Sequence, residues 1–319
     1  MNRRKVGRTG LTVTELGFGT ASIGGLYRPA SEEEAWAAVG AAWDAGIRYF
    51  DTAPHYGLGL SERRLGAALA GRPRDEYVVS TKVGRLLVPN PAPSGSDLAS
   101  AGFAVPDDLT RVFDFSASGV LRSLDASLGR LGLDRVDIVF VHDPDDHADQ
   151  ALREALPTLT RLREQGVVGA VGLGMNQWQV LLRAVRETDL DVVMLAGRWT
   201  LADRSGEPLL AECAARGVPV FAAAPFNSGL LARSWPPDGA YFDYRPAPAR
   251  VLEHARLLAR SCERHGLPLP AAALRFPLLH EAVACVVAGL GSPGEVTSAA
   301  AWLATPVPDA GWLRRLPGL

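Results

Sequence analysis

The sequence is short of cysteine, of any excess of one charge, and of long apolar runs. Only three cysteines occur in 319 residues, Cys213, Cys262 and Cys285. An odd number with no Cys-x-x-Cys spacing argues against a disulfide framework or a cysteine zinc site, and a reducing, cytoplasmic compartment is expected. The formal charge is only −2, so the basic footprint of a nucleic-acid binder is missing. Arg3, Arg4 and Lys5 lie near the start, but no apolar run follows them as it would in a signal peptide. No stretch is long and apolar enough to suggest a membrane helix. No linker divides the chain, and residues 1–319 are expected to form one domain. What is present is ordinary globular material, 47% hydrophobic and 21% charged, enough for a large core.

Short apolar, β-branched runs alternate with longer amphipathic ones. After a hairpin over Lys5–Val13, strands are predicted at 15–19, 47–51, 77–82, 136–141, 170–173, 192–196, 218–223 and 283–288. Helical spacing follows each. Ser31 and Glu34 form a capping box ahead of Trp36, Val39 and Trp43. Val120, Leu121, Leu124, Leu128 and Leu131 mark one helix face. Apolar strands of this kind are buried on both faces, and consecutive parallel strands need helical crossovers. Eight such units predict a closed (β/α)8 TIM barrel. Two proline-rich segments, 85–116 and 234–248, break the rhythm. They are expected as long loops at the C-terminal face, where the active sites of barrels lie.

Four polar residues fall at or just beyond the ends of adjacent strands: Asp51, Tyr56, Lys82 and His142. Each has a plainer role when taken alone. Asp51 fits a turn, Tyr56 a packed aromatic and Lys82 a solvated charge, and His142 a structural histidine. Their joint placement at one face outweighs those readings. A phenol titrates near pH ~10; an ammonium beside it is expected to lower that value, and a carboxylate would hold the ammonium in place. The set suits proton transfer to or from an alcohol or carbonyl, with His142 donating to a substrate oxygen. His142, Asp143, Asp145, Asp146 and His147 have no ligand spacing that names a metal, and none is expected.

Tyr49-Phe50-Asp51-Thr52-Ala53-Pro54-His55-Tyr56-Gly57, Ser61-Glu62, Ser80-Thr81-Lys82 and Val141-His142 resemble the signature regions of the aldo-keto reductases. The resemblance runs from Leu16-Gly17-Phe18-Gly19-Thr20 to Ser292. It implies a catalytic tetrad of Asp51, Tyr56, Lys82 and His142. It also implies a nicotinamide dinucleotide, NAD or NADP, lying across the mouth of a barrel without a Rossmann domain. Thr81 to Leu87, Val112 to Ser116, His142 to His147 and Pro225 to Leu231 are similar to one branch of that family. This branch holds L-fucose dehydrogenase, D-threo-aldose 1-dehydrogenase and pyridoxal 4-dehydrogenase. The expectation is oxidation of an aldose hemiacetal at C1 to a lactone. The alternatives are a pyridoxal dehydrogenase or general aldehyde reductase, and a nicotinamide-binding regulatory subunit that senses redox state.

The same resemblance sets Gly19 and Thr20 beside the nicotinamide, with Asp51, Met175 and Asn176 nearby. Ser228, Gly229, Leu230 and Leu231 would wrap the pyrophosphate. Gly172-x-Gly174 is no dinucleotide loop, because Gln177 stands where the third glycine belongs. Family members often stack an aromatic on the nicotinamide after strand seven, where this chain has Ala223-Ala224-Pro225. NADPH-preferring members carry cations at the start of the last helix. Here Ser292, Pro293 and Glu295 stand there instead, a good capping set and a poor 2′-phosphate site, which predicts NAD preference. His55, Arg85, Trp178 and Arg198 begin loops at the active face and are expected to contact a sugar or aldehyde substrate.

Overall fold

A computed structural model describes residues 1–307 and 309–319. Eight parallel strands close into a barrel: β1 (Leu16–Gly19), β2 (Tyr49–Asp51), β3 (Val78–Val83), β4 (Ile138–His142), β5 (Ala170–Met175), β6 (Val192–Ala196), β7 (Val220–Ala223) and β8 (Val283–Gly289). The ring closes where β8 pairs with β1, Val286 opposite Leu16 and Gly289 opposite Gly19. This is the (β/α)8 architecture expected from the alternation of short and long apolar runs.

The helices begin and end where local chemistry dictates. α1 (Glu32–Asp44) opens on the Ser31–Glu34 capping box, with both reciprocal hydrogen bonds made. α2 spans Leu60–Leu69, and α3 spans Ala117–Leu131, one turn longer at its start than the apolar spacing indicates. The extra turn comes from Ser116, whose side chain caps Gly119 N–H. Residues 151–164 form a rod with a π turn at Ala151–Ala155, then α4 (Leu156–Glu164). Pro157 sits at the junction and lacks the N–H a regular turn would use. α5 (Trp178–Glu187) and α6 (Glu207–Arg216) complete the next two units. α7 (Ala249–Arg264) and α8 (Leu269–Arg275) both precede β8, and α9 (Pro293–Ala304) follows it. A terminal α10 (Ala310–Arg315) carries no long apolar period and was not legible in the sequence.

Strand alternation divides the core in two. Leu16, Phe18, Phe50, Val79, Val139 and Val141 face the helices. Tyr49, Phe140, Met194, Phe221 and Cys285 fill the barrel itself. The hairpin Arg3–Lys5 with Thr12–Thr14 closes the floor, sending Val6 and Val13 into that inner core. The two long segments are not structureless. Residues Arg85–Pro89 and Leu109–Phe113 form an antiparallel ribbon, and Tyr241–Phe242 with Arg245–Pro246 form a small hairpin. Prolines at the ends of such strands break no ladder bond, so their density did not exclude pairing. Among the described residues, no helix is long and apolar enough to cross a membrane.

Candidate active site

The inner face of the barrel changes character toward its C-terminal end. One pleat above Tyr49, Ser80 and Phe140 stand Asp51, Lys82 and His142, on the same sides of β2, β3 and β4. The expected residues therefore arrive by strand parity. Tyr56 comes from the loop between β2 and α2, which turns sharply through Gly57, Leu58 and Gly59, all at positive φ. A Cβ on Gly57 would lie 2.1 Å from Gly24 O, so only glycine permits this approach. Ser61 ties the loop down by bonding Thr20 and Thr52, and buried Glu62 accepts from Thr81 and from Arg130.

Lys82 Nζ is the centre of the site. It lies 2.7 Å from Asp51 Oδ2, 3.0 Å from Thr52 O and 3.0 Å from Tyr56 Oη. An ammonium has three protons, and all three have acceptors here. Burial alone would pull the Lys82 pKa down, but Asp51 and Tyr56 outweigh it and hold the ammonium well above the usual lysine range. Tyr56 departs from expectation. Burial raises its pKa above the ordinary phenol value, and Lys82 offsets only part of that rise. The free enzyme thus carries Tyr56 as a phenol at neutral pH. Its oxygen accepts from Lys82, which leaves its proton for a substrate oxygen.

His142 is almost fully buried, and burial, with Arg85 and Lys82 nearby, pushes its pKa well below the usual histidine value. It is a neutral ring with one N–H and one lone pair, and Nδ1 has no protein partner. His55 is held neutral in the same way and stands edge-on to His142, ring centres 5.8 Å apart. Beside them Arg85 Nη2 donates to Asp143 Oδ2 at 2.5 Å. Asp143 reaches back to this point because its backbone is left-handed, at φ 41, a conformation aspartate tolerates better than most residues. His55 and Arg85 therefore lie beside the tetrad.

The other expected contacts divide. Trp178 is half-buried and packs against the core between sheet and helices. Arg198 is spent on the tip of the small hairpin, where it donates to Asp243 at 2.9 Å. Met175 is also core, because it alternates with the inward-facing Gly172 and Gly174 and so faces the helices. Thr20 is fully buried, and its hydroxyl donates to Asp51 O at 2.9 Å; it fixes β2 instead of lying open. Asn176 is half-buried and donates to Ala196 O, leaving its own carbonyl available for an amide. Gly19 lies close on Ala288 O, where a Cβ would be tight at 3.1 Å. The N–H groups of Gly229, Leu230 and Leu231 donate to carbonyls of Phe226 and Asn227 in the same turn. Leu230 and Leu231 are buried in the core. In this conformation those three do not form the expected anion cradle, and Ser228 uses its hydroxyl to accept from Tyr244 N–H.

Three contributors to the site were missed. Asp143 adjoins His142 in sequence, but only its positive φ turns it inward. Arg111, on the ribbon, pairs with Asp97 and donates to His55 O at 2.9 Å, bracing the Tyr56 loop. Tyr244 sits with Asp243 in the hairpin turn, both at positive φ, a geometry usually given to Asn-Gly, and its hydroxyl feels Tyr56, Asp143 and the Asn176 amide. No local pattern marks any of these as site residues.

At α9, Ser292 accepts from Glu295 N–H, while Glu295 Oε2 accepts from Gly291 N–H at 2.7 Å. The capping role expected of this stretch is made, although the carboxylate reaches Gly291 and not the N-cap residue itself. For a nicotinamide cofactor the chain offers the Asn176 carboxamide, the Ser228 hydroxyl and the α9 start near the tetrad, groups that would pair with an amide and a ribose, while the backbone N–H groups after Ser228 are already bonded within their own turn. When bound, that cofactor supplies or accepts the hydride.

Comparison with known proteins agrees with this geometry. The Aldo/keto reductase family matches residues 15–313. The chain is 48% identical to a D-threo-aldose 1-dehydrogenase from Pseudomonas sp, over 95% of this chain and 93% of that protein. It is 42% identical to a pyridoxal 4-dehydrogenase from Microbacterium luteolum, over 97% and 95%. It is 32% identical to an L-galactose dehydrogenase from Arabidopsis thaliana, over 92% and 85%. Among solved structures, the holo form of an aldo-keto reductase from Bacillus halodurans has a TM-score of 0.77 and 26% identity, covering 100% of this chain and 98% of that one. With the tetrad assembled at the barrel mouth, the chain belongs to the aldo/keto reductase family, nicotinamide-dependent oxidoreductases acting on CH–OH and C=O groups.

Proposed function

We propose that this enzyme oxidises the C1 hemiacetal of an aldose of the L-fucose or D-threo type to the lactone, with NAD+ preferred over NADP+. The observation that carries this reading is the polar wall beside the tetrad. Arg85, Asp143 and His55 set donors and acceptors next to His142, a pattern that can pair with neighbouring hydroxyls and gives an apolar aldehyde little to bind. The aldose dehydrogenase relative at 48% identity points the same way.

The chain's own part in the reaction is proton handling. A nicotinamide held at the mouth would take the C1 hydrogen with its electron pair; what the chain itself handles is the remaining proton. The C1 hydroxyl proton passes to Tyr56 Oη, and the C1=O bond forms. Tyr56 must be a phenolate to accept that proton. Because burial raises its pKa, oxidation is expected to speed up as pH rises above neutral, while the reverse reduction uses the phenol that neutral pH supplies. Lys82 makes the phenolate tolerable by keeping a full positive charge 3.0 Å away.

The start of α9 supports the NAD preference. Glu295 places a carboxylate at its first turn, and no Lys or Arg occurs from Gly289 to Ala304. A 2′-phosphate there would meet a negative charge.

The test is NADH formation with L-fucose, D-arabinose, L-galactose, D-threo-aldoses and pyridoxal, run with both cofactors. Turnover on the sugars, with kcat/KM for NAD+ at least roughly tenfold that for NADP+, a gap of about 1.4 kcal/mol, is the expected result. Turnover on pyridoxal alone would move the reading to the pyridoxal dehydrogenase relative, 42% identical. Tight NADH binding with no turnover would support a redox-sensing subunit.

A further inference from the structure

Below the tetrad, inside the barrel, lie two hydroxyls that the reaction does not touch. Tyr49 Oη is 2.8 Å from Ser80 Oγ, and Ser80 Oγ is 2.7 Å from Asp51 Oδ1. All three residues are buried, Tyr49 and Ser80 completely. The direction of these bonds can be worked out. Asp51 faces the Lys82 ammonium through Oδ2 and is an acceptor only. Ser80 therefore gives its one proton to Oδ1, and Tyr49 must donate to Ser80. The chain runs one way, Tyr49 to Ser80 to Asp51, and meets Lys82 and Tyr56 on the far side of the carboxylate.

Packing alone does not call for these hydroxyls. Neighbouring positions of the same interior carry Phe140 and Phe221, and Tyr49 meets Phe221 edge-on at 5.0 Å. A phenylalanine at 49 and an alanine at 80 would fill similar space without burying polar atoms, which is costly unless they are bonded. The barrel also makes room for the tyrosine. A Cβ on Gly17 would lie 2.6 Å from Tyr49 Cδ1, so this ring position depends on glycine in β1.

We propose that Tyr49 and Ser80 are positioning residues for the reaction. They lock the Asp51 carboxylate with one oxygen on Ser80 and the other on Lys82, and so fix where the Lys82 ammonium meets Tyr56. Without Ser80, Oδ1 is a buried oxygen with no donor. The carboxylate then draws harder on Lys82, the ammonium gives less to Tyr56 Oη, and the phenol becomes harder to ionise. Tyr49 has no route to Lys82 except through Ser80.

The test is a double-mutant cycle of Tyr49→Phe and Ser80→Ala, with Ser80→Thr as the variant that keeps the hydroxyl. Sugar oxidation and 4-nitrobenzaldehyde reduction give kcat. Carbon-13 NMR at the phenolic carbons of the enzyme follows the titration of Tyr56, assigned through Tyr56→Phe, and needs no turnover. Its failure is therefore separate from failure of the sugar assignment. Ser80→Ala is expected to lower kcat about tenfold and Tyr49→Phe about threefold, the scale of losing one bond to a charged group and one neutral bond. The Tyr56 titration moves to higher pH in both, NADH affinity stays within about twofold, and Ser80→Thr restores most of the rate. The double variant is no worse than Ser80→Ala. Additive losses, or an unmoved Tyr56 titration in Tyr49→Phe, would overturn the proposal. Tyr49→Phe decides the matter by itself if Ser80→Ala fails to fold.

Discussion

Replacing Asp51 with asparagine isolates the charge at the centre of the site. The Asp51 and Lys82 side chains are 4% and 2% exposed and 2.7 Å apart. Removing one member of a buried pair costs roughly 3–5 kcal/mol, because the remaining charge stays desolvated. The amide carbonyl of asparagine can still accept from Lys82, so the lower end, ~3 kcal/mol, is expected at neutral pH. For 319 residues the unfolding entropy is roughly 0.67 kcal/mol/K, from about 2.1 cal/mol/K per residue, so the melting temperature should fall by ~4–5 °C. The pH dependence is the sharper signature. In the wild type, burial lowers the Lys82 pKa but Asp51 and Tyr56 raise it further, and the net shift is upward. That contribution is fully present below the unfolded value of ~10.4 and is lost only as pH rises through the folded one. In Asp51→Asn the burial remains while the main raising charge is gone, so the folded value drops below the unfolded one. The unfolded chain then binds more protons across that window, and the stability of the variant rises with pH until ~10.4. Urea denaturation at stepped pH should therefore show the gap between wild type and variant closing as pH increases. A gap below about 1 kcal/mol at neutral pH, or one that widens toward alkaline pH, would refute the assignment of Lys82 as a buried cation held by Asp51.

Three further outcomes follow from the geometry. Tyr56→Phe should cut turnover by roughly 10²–10⁴-fold, the worth of general acid–base catalysis, while NADH affinity measured by fluorescence stays nearly unchanged. Gly57→Ala combines a left-handed backbone, about 1–2 kcal/mol for a residue with a Cβ, with a Cβ placed 2.1 Å from Gly24 O; kcat should fall more steeply than the melting temperature, because the strain lands on the loop that carries Tyr56. Arg85→Met leaves the half-buried Asp143 without its ion pair and removes a hydroxyl donor from the wall; steady-state kinetics should show KM for the sugar rising about tenfold, on the scale of one charged hydrogen bond, with cofactor KM unmoved.

The fold was legible because its signals are periodic. Strand and helix periods do not depend on distant contacts, and the Ser31–Glu34 box and the Ser292–Pro293 start were read from adjacent residues and are made in the structure. The two proline-rich segments were misjudged for a reason of the same kind. Arg85–Pro89 pairs only with Leu109–Phe113, and a two-stranded ribbon has one partner edge, so its strands need no continuous apolar pattern and tolerate proline where no ladder bond is lost. The ribbon has its own consequence at the site, since it carries Arg111 to the carbonyl of His55.

The tetrad was legible and its surroundings were not, and the difference is one of parity. A residue at the end of a strand faces the barrel interior or the helices according to its register, and a shift of one position exchanges the two. Asp51, Lys82 and His142 share their faces with Tyr49, Ser80 and Phe140. Met175 lies one step off the inward set of β5 and goes into the core with Leu173. Thr20, a single residue beyond β1, spends its hydroxyl on Asp51 O. Ionisation was misread for a different reason. The neighbours of Tyr56 could be named from the sequence, but the depth at which the loop sets the phenol could not, and burial outweighs Lys82 in fixing the direction of its shift. Tyr56 is therefore a phenol at rest whose conversion to a base depends on how firmly Lys82 is aimed at it. That aim is decided two residues below, where β2 and β3 place Tyr49 and Ser80 under the Asp51 carboxylate.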